Sequence, residues 1–260
     1  MKKYILFFDV DHTLFDHRIR SVPDSTIDAL RRVRNREDTI LALATGRARY
    51  MLDVVEEILP FFEVLITVNG QLVYLGDEIL HDQPMPTPDV LRAKATLESN
   101  RLLYGMLGKR KHSIRAINAP IRRRFKEQCL PLPEVDPAHE QHDEIYQLWA
   151  FTHNREAGPI YETLGDFHVV PWFEEGFDIL YSQKSKVDGI RVVLDHLNIP
   201  FEQAYAFGDG NNDKEMLAKI PNSIAMGDAP EAVRQVASYV TAPCGEDGIA
   251  RALEAYGFLK

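Results

Sequence analysis

Three short runs, YILFF at 4–8, TILALA at 39–44 and AYAF at 204–207, are apolar at almost every position, and each runs into polar residues. A strand with one wet face alternates apolar and polar side chains. An unbroken apolar strand of five or six residues is covered on both faces. Such strands pair in parallel and need crossover helices, which the intervening sequence supplies. Pro23-Asp24-Ser25 opens a helix with Ile27, Leu30 and Val33 on one face, and a second helix is expected after Arg47, ending near Leu59. In EVLITVNGQLVY, Asn69-Gly70 between two apolar runs marks a hairpin turn. Downstream, VDGIRVVLDHL leads as a helix into AYAF. Helix NNDKEMLAKI, strand SIAMG, helix APEAVRQVA, strand YVTA and a last helix over 249–255 follow. The expected fold class is α/β, a doubly wound, mostly parallel sheet.

The rhythm breaks between Asp82 and Tyr181, where prolines and mixed runs replace it. From Arg92 to Lys126 there are 11 Lys and Arg against one acid; from Glu127 to Asp178 there are 12 acids against one Arg. The chain of 260 residues is long for one compact unit, and a discontinuous core domain with an inserted module of about a hundred residues is expected. The boundaries are drawn at 1–81 and 184–260 for the core and 82–183 for the insertion. A net charge of −9 gives no general attraction to nucleic acid or to an anionic membrane, so an anionic ligand needs a local cationic pocket or a metal. Cys129 and Cys244 form no metal-ligand pattern and read as ordinary thiols of a reducing compartment. MKKYILFF is too short for a secretory signal and nothing approaches a membrane-spanning length, so a cytoplasmic location is expected.

The polar ends of the strands carry the chemistry. In open α/β sheets ligands bind beyond the carboxyl ends of the strands, which brings Asp9 and Asp11, Thr45, and Asp209 to one edge. Lys186 starts the helix leading into AYAF and is expected at the rim of the same pocket. Unpartnered carboxylates are costly to bury, and Asp9, Asp209 and Asp213 form a hard-oxygen cluster that suits magnesium. The Thr45 hydroxyl, Gly46 amide, Lys186 ammonium and Asn212 amide are donors suited to a phosphoryl group. Acids alone point to a metal; acids with donors point to phosphate.

Taken together, DVDHT (9–13), ATGR (44–47), SKVDGI (185–190) and GDGNND (208–213), in that order, resemble the four motifs of the haloacid dehalogenase-like (HAD) phosphohydrolases. The likeness is specifically to the Cof-type subfamily with a type IIB cap. AMGDAPEAVRQVASYVT and EDGIARAL resemble that family's usual ending. The resemblance spans essentially all of the core; in the insertion it rests on placement and size. It implies a Rossmann-like core with an inserted α+β cap and a magnesium-dependent phosphatase acting on a small phosphorylated metabolite, for instance a sugar phosphate. It further implies that Asp9 attacks phosphorus and carries an aspartyl-phosphate, while Asp11 protonates the leaving alcohol and then deprotonates water. Magnesium would be held by Asp9, the Asp11 backbone carbonyl and Asp209, with Asp213 in or next to its shell. Thr45, Gly46, Lys186 and Asn212 would hold the phosphoryl oxygens. An acid role for Asp11 requires a carboxyl pKa raised by neighbouring carboxylates or by a closed, dry site. His12 and Val187 stand where the family most often has glycine.

Plainer readings stand beside these. Asp9 and Asp11 alone would read as a solvated loop, Thr45-Gly46-Arg47 as an ordinary turn, and Lys186 as a surface lysine with Lys184 as its rival. Arg47 is open between substrate contact and structural ion pair. Asn211 is expected to shape its turn, and Asp16 to be plain loop. HEQH (139–142) fails the His-Glu-x-x-His zinc spacing, because Asp143 stands where the second histidine belongs, and reads as a polar loop. RRRFK (122–126) reads as a solvated face paired with the acidic half of the insertion. Trp149, Trp172 and Phe173 read as core of the insertion. Two other functions remain open: a non-catalytic phospho-aspartate signalling module, against which Asp11 and the insertion speak, and a sugar phosphomutase on the same core. Oligomeric state is not legible.

Overall fold

A computed structural model describes residues 3–172, 175–181 and 185–259, leaving aside the side chains of residues 153–157 and 175. The chain divides into two compact units, Met1–Asp82 with Ser185–Lys260, and Gln83–Lys184. The N-terminal part of the core unit contains β1 (Tyr4–Phe8), α1 (Asp24–Arg34), β2 (Thr39–Ala44), β3 (Val64–Thr67), β4 (Leu72–Leu75) and β5 (Glu78–Asp82). The inserted unit follows with α2 (Thr87–Ser99), β6 (Leu103–Gly108), β7 (His112–Ile114), α3 (Ala119–Glu127), β8 (Glu134–Val135), β9 (Ile145–His153), α4 (Asn154–Leu164), β10 (His168–Pro171) and β11 (Glu175–Leu180). The core resumes with α5 (Lys186–Leu197), β12 (Ala204–Gly208), α6 (Lys214–Lys219), β13 (Asn222–Ala225), α7 (Glu231–Arg234), β14 (Tyr239–Val240) and α8 (Gly248–Ala255).

The core sheet is mixed, in the order β14-β13-β12-β1-β2-β3-β4-β5. The six strands from β14 to β3 run parallel; β4 and β5 are antiparallel additions. β1 lies at the centre, between β2 and β12, where the winding direction reverses. Ile5 and Phe7 face a core built with Val187, Ile190, Val193 and Leu194 of α5 and Met216 and Leu217 of α6. On the opposite face, Phe8 stacks on Phe207 at 4.4 Å and Tyr4 meets Phe258, just beyond α8, edge-on. Every residue from Ile5 to Phe8 is fully buried, as an unbroken apolar strand demands. The helix expected after Arg47 is instead a 3-10 segment, Arg49–Val55, with a further turn at Leu59–Phe61. Its bonds run three residues back, and Pro60 stops a longer helix from forming.

The inserted unit has a six-stranded sheet, β10-β11-β9-β6-β7-β8, antiparallel except for β7 with β8. α2 and α4 cover one face through Val90, Ala93, Leu97, Ile160 and Leu164, while Ile121 and Phe125 of α3 pack on Trp149 and Ile114. Trp149 is therefore core; Trp172 is half-buried beside it, and Phe173 lies outside the described residues. The two charge blocks pair with each other: Lys94 with Glu140 at 2.6 Å, Lys111 with Glu134 at 2.6 Å, Lys109 with Glu144 at 3.0 Å and Arg92 with Asp166 at 2.7 Å. In 122–126, Arg122, Arg123 and Lys126 are exposed, and Arg123 faces Glu127. His139 departs from the polar-loop expectation. It is fully buried, with Nδ1 2.9 Å from the Ser113 hydroxyl and Nε2 3.2 Å from Asp143, because a short turn at His139–Gln141 tucks it under the sheet edge. No helix among the described residues is long and apolar enough to cross a membrane.

Candidate active site

β1 ends at Phe8, opposite Phe207 of β12, and the Asp9 amide donates to the Phe207 carbonyl at 2.9 Å. That register sets Asp9 beside Asp209, which follows Gly208 at the end of β12. β2 delivers Thr45 on the other side of Asp9. Lys186 arrives from a distant point in the chain because α5 starts in a fixed place. Ser185 caps it with a capping box, the Ser185 hydroxyl accepting from the Val187 amide and the Asp188 carboxylate from the Ser185 amide. Gly70, at φ 95, lies against the Ser185 carbonyl where no side chain would fit. The Asn69-Gly70 turn thus serves as the hairpin between β3 and β4 and as the seat of α5. Val187, in place of the commoner glycine, is buried in the core beneath the sheet.

Lys186 is fully buried, and its Nζ donates to Asp9 Oδ1 and to Asp213 Oδ1, both at 2.6 Å. The other Asp213 oxygen accepts from the amides of Asp209 (3.0 Å) and Gly210 (2.9 Å), within the turn that Asn211–Asp213 forms. Gly208 lies so close to that carboxylate that a side chain there would displace it. Thr13 donates its hydroxyl to Asp209 Oδ1 at 2.9 Å. One oxygen each of Asp9, Asp209 and Asp213 fall within 4.8 Å of one another, and all three residues are buried. Among the described residues, three buried carboxylates face a single ammonium, so the site is short of positive charge. Burial, opposed by Lys186 but reinforced by Asp213 and Asp11, pushes the Asp9 carboxyl up to about 7. Burial and the charges of Asp9 and Asp213 raise Asp209 well above its ordinary value. Burial alone would lower Lys186, but Asp213 and Asp9 hold its ammonium above the ordinary range. A set of hard oxygen donors short of a counter-charge fits a small divalent cation.

Asp11 takes no part in that cluster through its side chain. The Arg47 guanidinium grips it with two bonds, Nε to Oδ2 at 2.8 Å and Nη2 to Oδ1 at 2.6 Å, and His17 Nε2 lies 2.7 Å from Oδ1. Burial would raise this carboxyl, but Arg47 and then His17 hold it well below the usual carboxylate range. A raised Asp11 pKa was the expectation; the reason it fails is that a cation and a ring nitrogen, not carboxylates, are its nearest neighbours. Arg47 is accordingly an ion-pair partner of Asp11, and it is itself buried.

On the donor side, the Thr45 hydroxyl is buried and accepts from the Arg47 amide at 3.1 Å. Gly46 lies against Asn69 and Asn212, and Asn212 Nδ2 donates to Asn69 Oδ1 at 3.0 Å. Asp9, Asp11, Thr45, Gly46, Lys186, Asp209, Asn212 and Asp213 all come to one edge of the core sheet. Lys184 lies outside the described residues. Sequence reasoning passed over Thr13, His17 and Asn69. Asn69 ends an apolar strand as Asp9 and Thr45 do, and that rule could have flagged it; His17 sits in a loop that carries no such sign. Asp16 is not plain loop: it is buried and paired with Arg18 at 2.9 Å.

The model of the haloacid dehalogenase-like hydrolases matches residues 6–253. The Bacillus subtilis (strain 168) protein YkrA is 30% identical over 261 residues, 100% of this chain and 100% of its own. The HMP-PP phosphatase of Enterobacter sp. (strain 638) is 28% identical over 242 residues, covering 85% of this chain and 83% of its own. Among solved structures, the HAD subclass IIB sugar phosphatase BT4131 superposes with a TM-score of 0.90 at 26% identity, covering 98% of this chain and 100% of that one. A match running almost from end to end, over a core whose strand ends gather the acids and the lysine around one point, means that the chain belongs to the haloacid dehalogenase-like hydrolases.

Proposed function

We propose that this HAD-family phosphatase of small phosphorylated metabolites works by two displacements at Asp9, with magnesium in the Asp9–Asp209–Asp213 group and on the Asp11 backbone carbonyl. The observation that carries the reading is Lys186 Nζ at 2.6 Å from both Asp9 and Asp213, which places a fixed cation beside a buried carboxylate at the sheet's carboxyl edge. An Asp9 oxygen attacks phosphorus and the ester P–O bond breaks; the departing alkoxide takes its proton from Asp11. Water, giving its proton to Asp11, then attacks the same phosphorus, and the Asp9 O–P bond breaks to release phosphate. Lys186, Thr45, the Gly46 amide and Asn212 stabilise the phosphoryl oxygens as charge moves onto them. A bound divalent cation supplies the positive charge that lets two anions, nucleophile and phosphate, approach. Asp11 as gripped by Arg47 and His17 is an anion, the form that takes a proton from water. Its acid role in the first half requires a proton on that carboxylate, and such an acid contributes about 10²–10⁴ in rate with a poor leaving group.

The substrate class is a small phosphorylated metabolite of the sugar-phosphate kind. The names of the HMP-PP phosphatase and the sugar phosphatase BT4131 support that breadth without choosing between them. Release of phosphate from 4-nitrophenyl phosphate in magnesium buffer tests the reading. Asp9→Asn is expected to lower the rate by about 10³-fold or more. Asp11→Asn is expected to accumulate a phosphoenzyme, since 4-nitrophenolate leaves with little help while the second half lacks its base. Stoichiometric labelling of the wild type without turnover would instead mark a signalling module.

A further inference from the structure

The loop from β1 to α1 carries two histidines that the four motifs do not call for. His12 adopts a left-handed backbone, φ 57, where a side chain is disfavoured. Its ring stacks on that of His17 with centroids 4.4 Å apart and planes at 27°, and Phe15 meets His17 edge-on at 5.0 Å. The His17 side chain is nine-tenths buried, and its ring is fixed by those two neighbours. Nε2 faces the Asp11 carboxylate at 2.7 Å and must carry the hydrogen, because an anion there only accepts. Nδ1 is buried and meets no hydrogen-bond partner among the described residues, so Asp11 alone decides which way the ring is used.

The bonds to Asp11 are not shared evenly. Oδ1 accepts from Arg47 Nη2 and from His17 Nε2, which occupies both in-plane lone pairs of that oxygen. Among the described residues Oδ2 accepts only from Arg47 Nε and keeps one lone pair. We propose that His17 is a positioning residue which, together with Arg47, commits Asp11 to give and take its proton through Oδ2. The inference rests on the reading of Asp11 as the acid–base group of the phosphatase. Without the His17 N–H, Oδ1 competes for the proton and the carboxylate can turn about its stem, so the acid is misaligned exactly when a poor leaving group needs it.

The test compares kcat/KM for 4-nitrophenyl phosphate and phenyl phosphate, because the second leaving group depends far more on an acid. His17→Phe keeps the stack on His12 and removes the donor; His17→Gln keeps a side-chain N–H. The Phe variant is expected to lose about tenfold more with phenyl than with 4-nitrophenyl phosphate, and the Gln variant to recover most of that difference. Equal losses on both esters would leave His17 a packing residue and overturn the proposal. A second measurement is independent of turnover. In ¹⁵N NMR of histidine-labelled wild type, His17 is expected as the Nε2–H tautomer, with its signal shifting in Asp11→Asn; an Nδ1–H tautomer overturns the proposal. A wild type that hydrolyses neither ester sinks the phosphatase reading and the catalytic half of this one with it, while the NMR result still decides whether His17 is bound to Asp11.

Discussion

Lys186 is fully buried; it is held by Asp9 and Asp213, and they by it. Removing one partner of a buried pair leaves an uncompensated charge, so Lys186→Met is expected to cost about 3–5 kcal/mol of stability in urea unfolding without metal. The acids make the metal-free fold sensitive to pH in a defined direction. Asp9 rises from its ordinary 3.8 to about 7 and Asp209 also rises, so the folded protein binds more protons than the unfolded chain over that interval. The contribution of Asp9 is full below about pH 4, falls as pH rises towards 7 and is level above it, and Asp209 acts in the same direction. Urea midpoints of chelated protein between pH 5 and 8 should show this decline, and magnesium should flatten it. At this scale the sequence was informative for the acids and the lysine, because strand ends are where an open sheet presents reactive groups. It was silent on His17, whose partner is fixed by a tight loop that bridges Asp11 to Phe15. His12 shows the cost of that loop: a left-handed backbone at a residue with a side chain, worth roughly 1–2 kcal/mol against the fold, accepted where glycine would be free.

Among the elements, the parallel strands and α5 were legible because burial on both faces and a 3.6-residue apolar stripe leave few alternatives. The segment after Arg47 was not: its apolar residues suit a helix, but it must return to the start of β3 within a short span and does so in 3-10 geometry. β11 carries a testable oddity. Asp178 stands on a half-buried strand position, where burial pushes its carboxyl up to about 7 against the opposing hydrogen bond from Trp172. A raised acid again weakens the fold as pH rises from about 4 to 7. Asp178→Asn is therefore expected to stabilise the inserted unit by about 1–3 kcal/mol at pH 8 and to leave it unchanged near pH 4. Tryptophan fluorescence reads this unit alone, because both tryptophans of the chain, Trp149 and Trp172, lie in it.

At the level of the whole molecule, two units with separate apolar cores share one chain. The candidate metal group lies entirely in one of them, so a cation should stabilise that unit by linkage, by about 2.7 kcal/mol at a hundred times its dissociation constant. Calorimetry with and without magnesium should show this shift as a raised transition temperature. Loss of that shift in Asp209→Asn would tie it to the acidic group. The two charge blocks of the insertion meet each other in ion pairs within the unit.

By itself the sequence determined the α/β class, the interruption by a second unit, and the meeting of Asp9, Thr45, Lys186 and Asp209 at one sheet edge. Those follow from local patterns: continuous apolar strands, crossover helices and the polar residues that end them. Only the tertiary structure decided what each carboxylate touches. Asp9 and Asp11 are two residues apart, yet one is pushed towards its neutral form by burial among acids and the other is held ionised by Arg47 and His17. The difference arises because charge acts through space, and which of residues 17, 47, 186 and 213 comes within hydrogen-bond distance of which carboxylate is set by the fold.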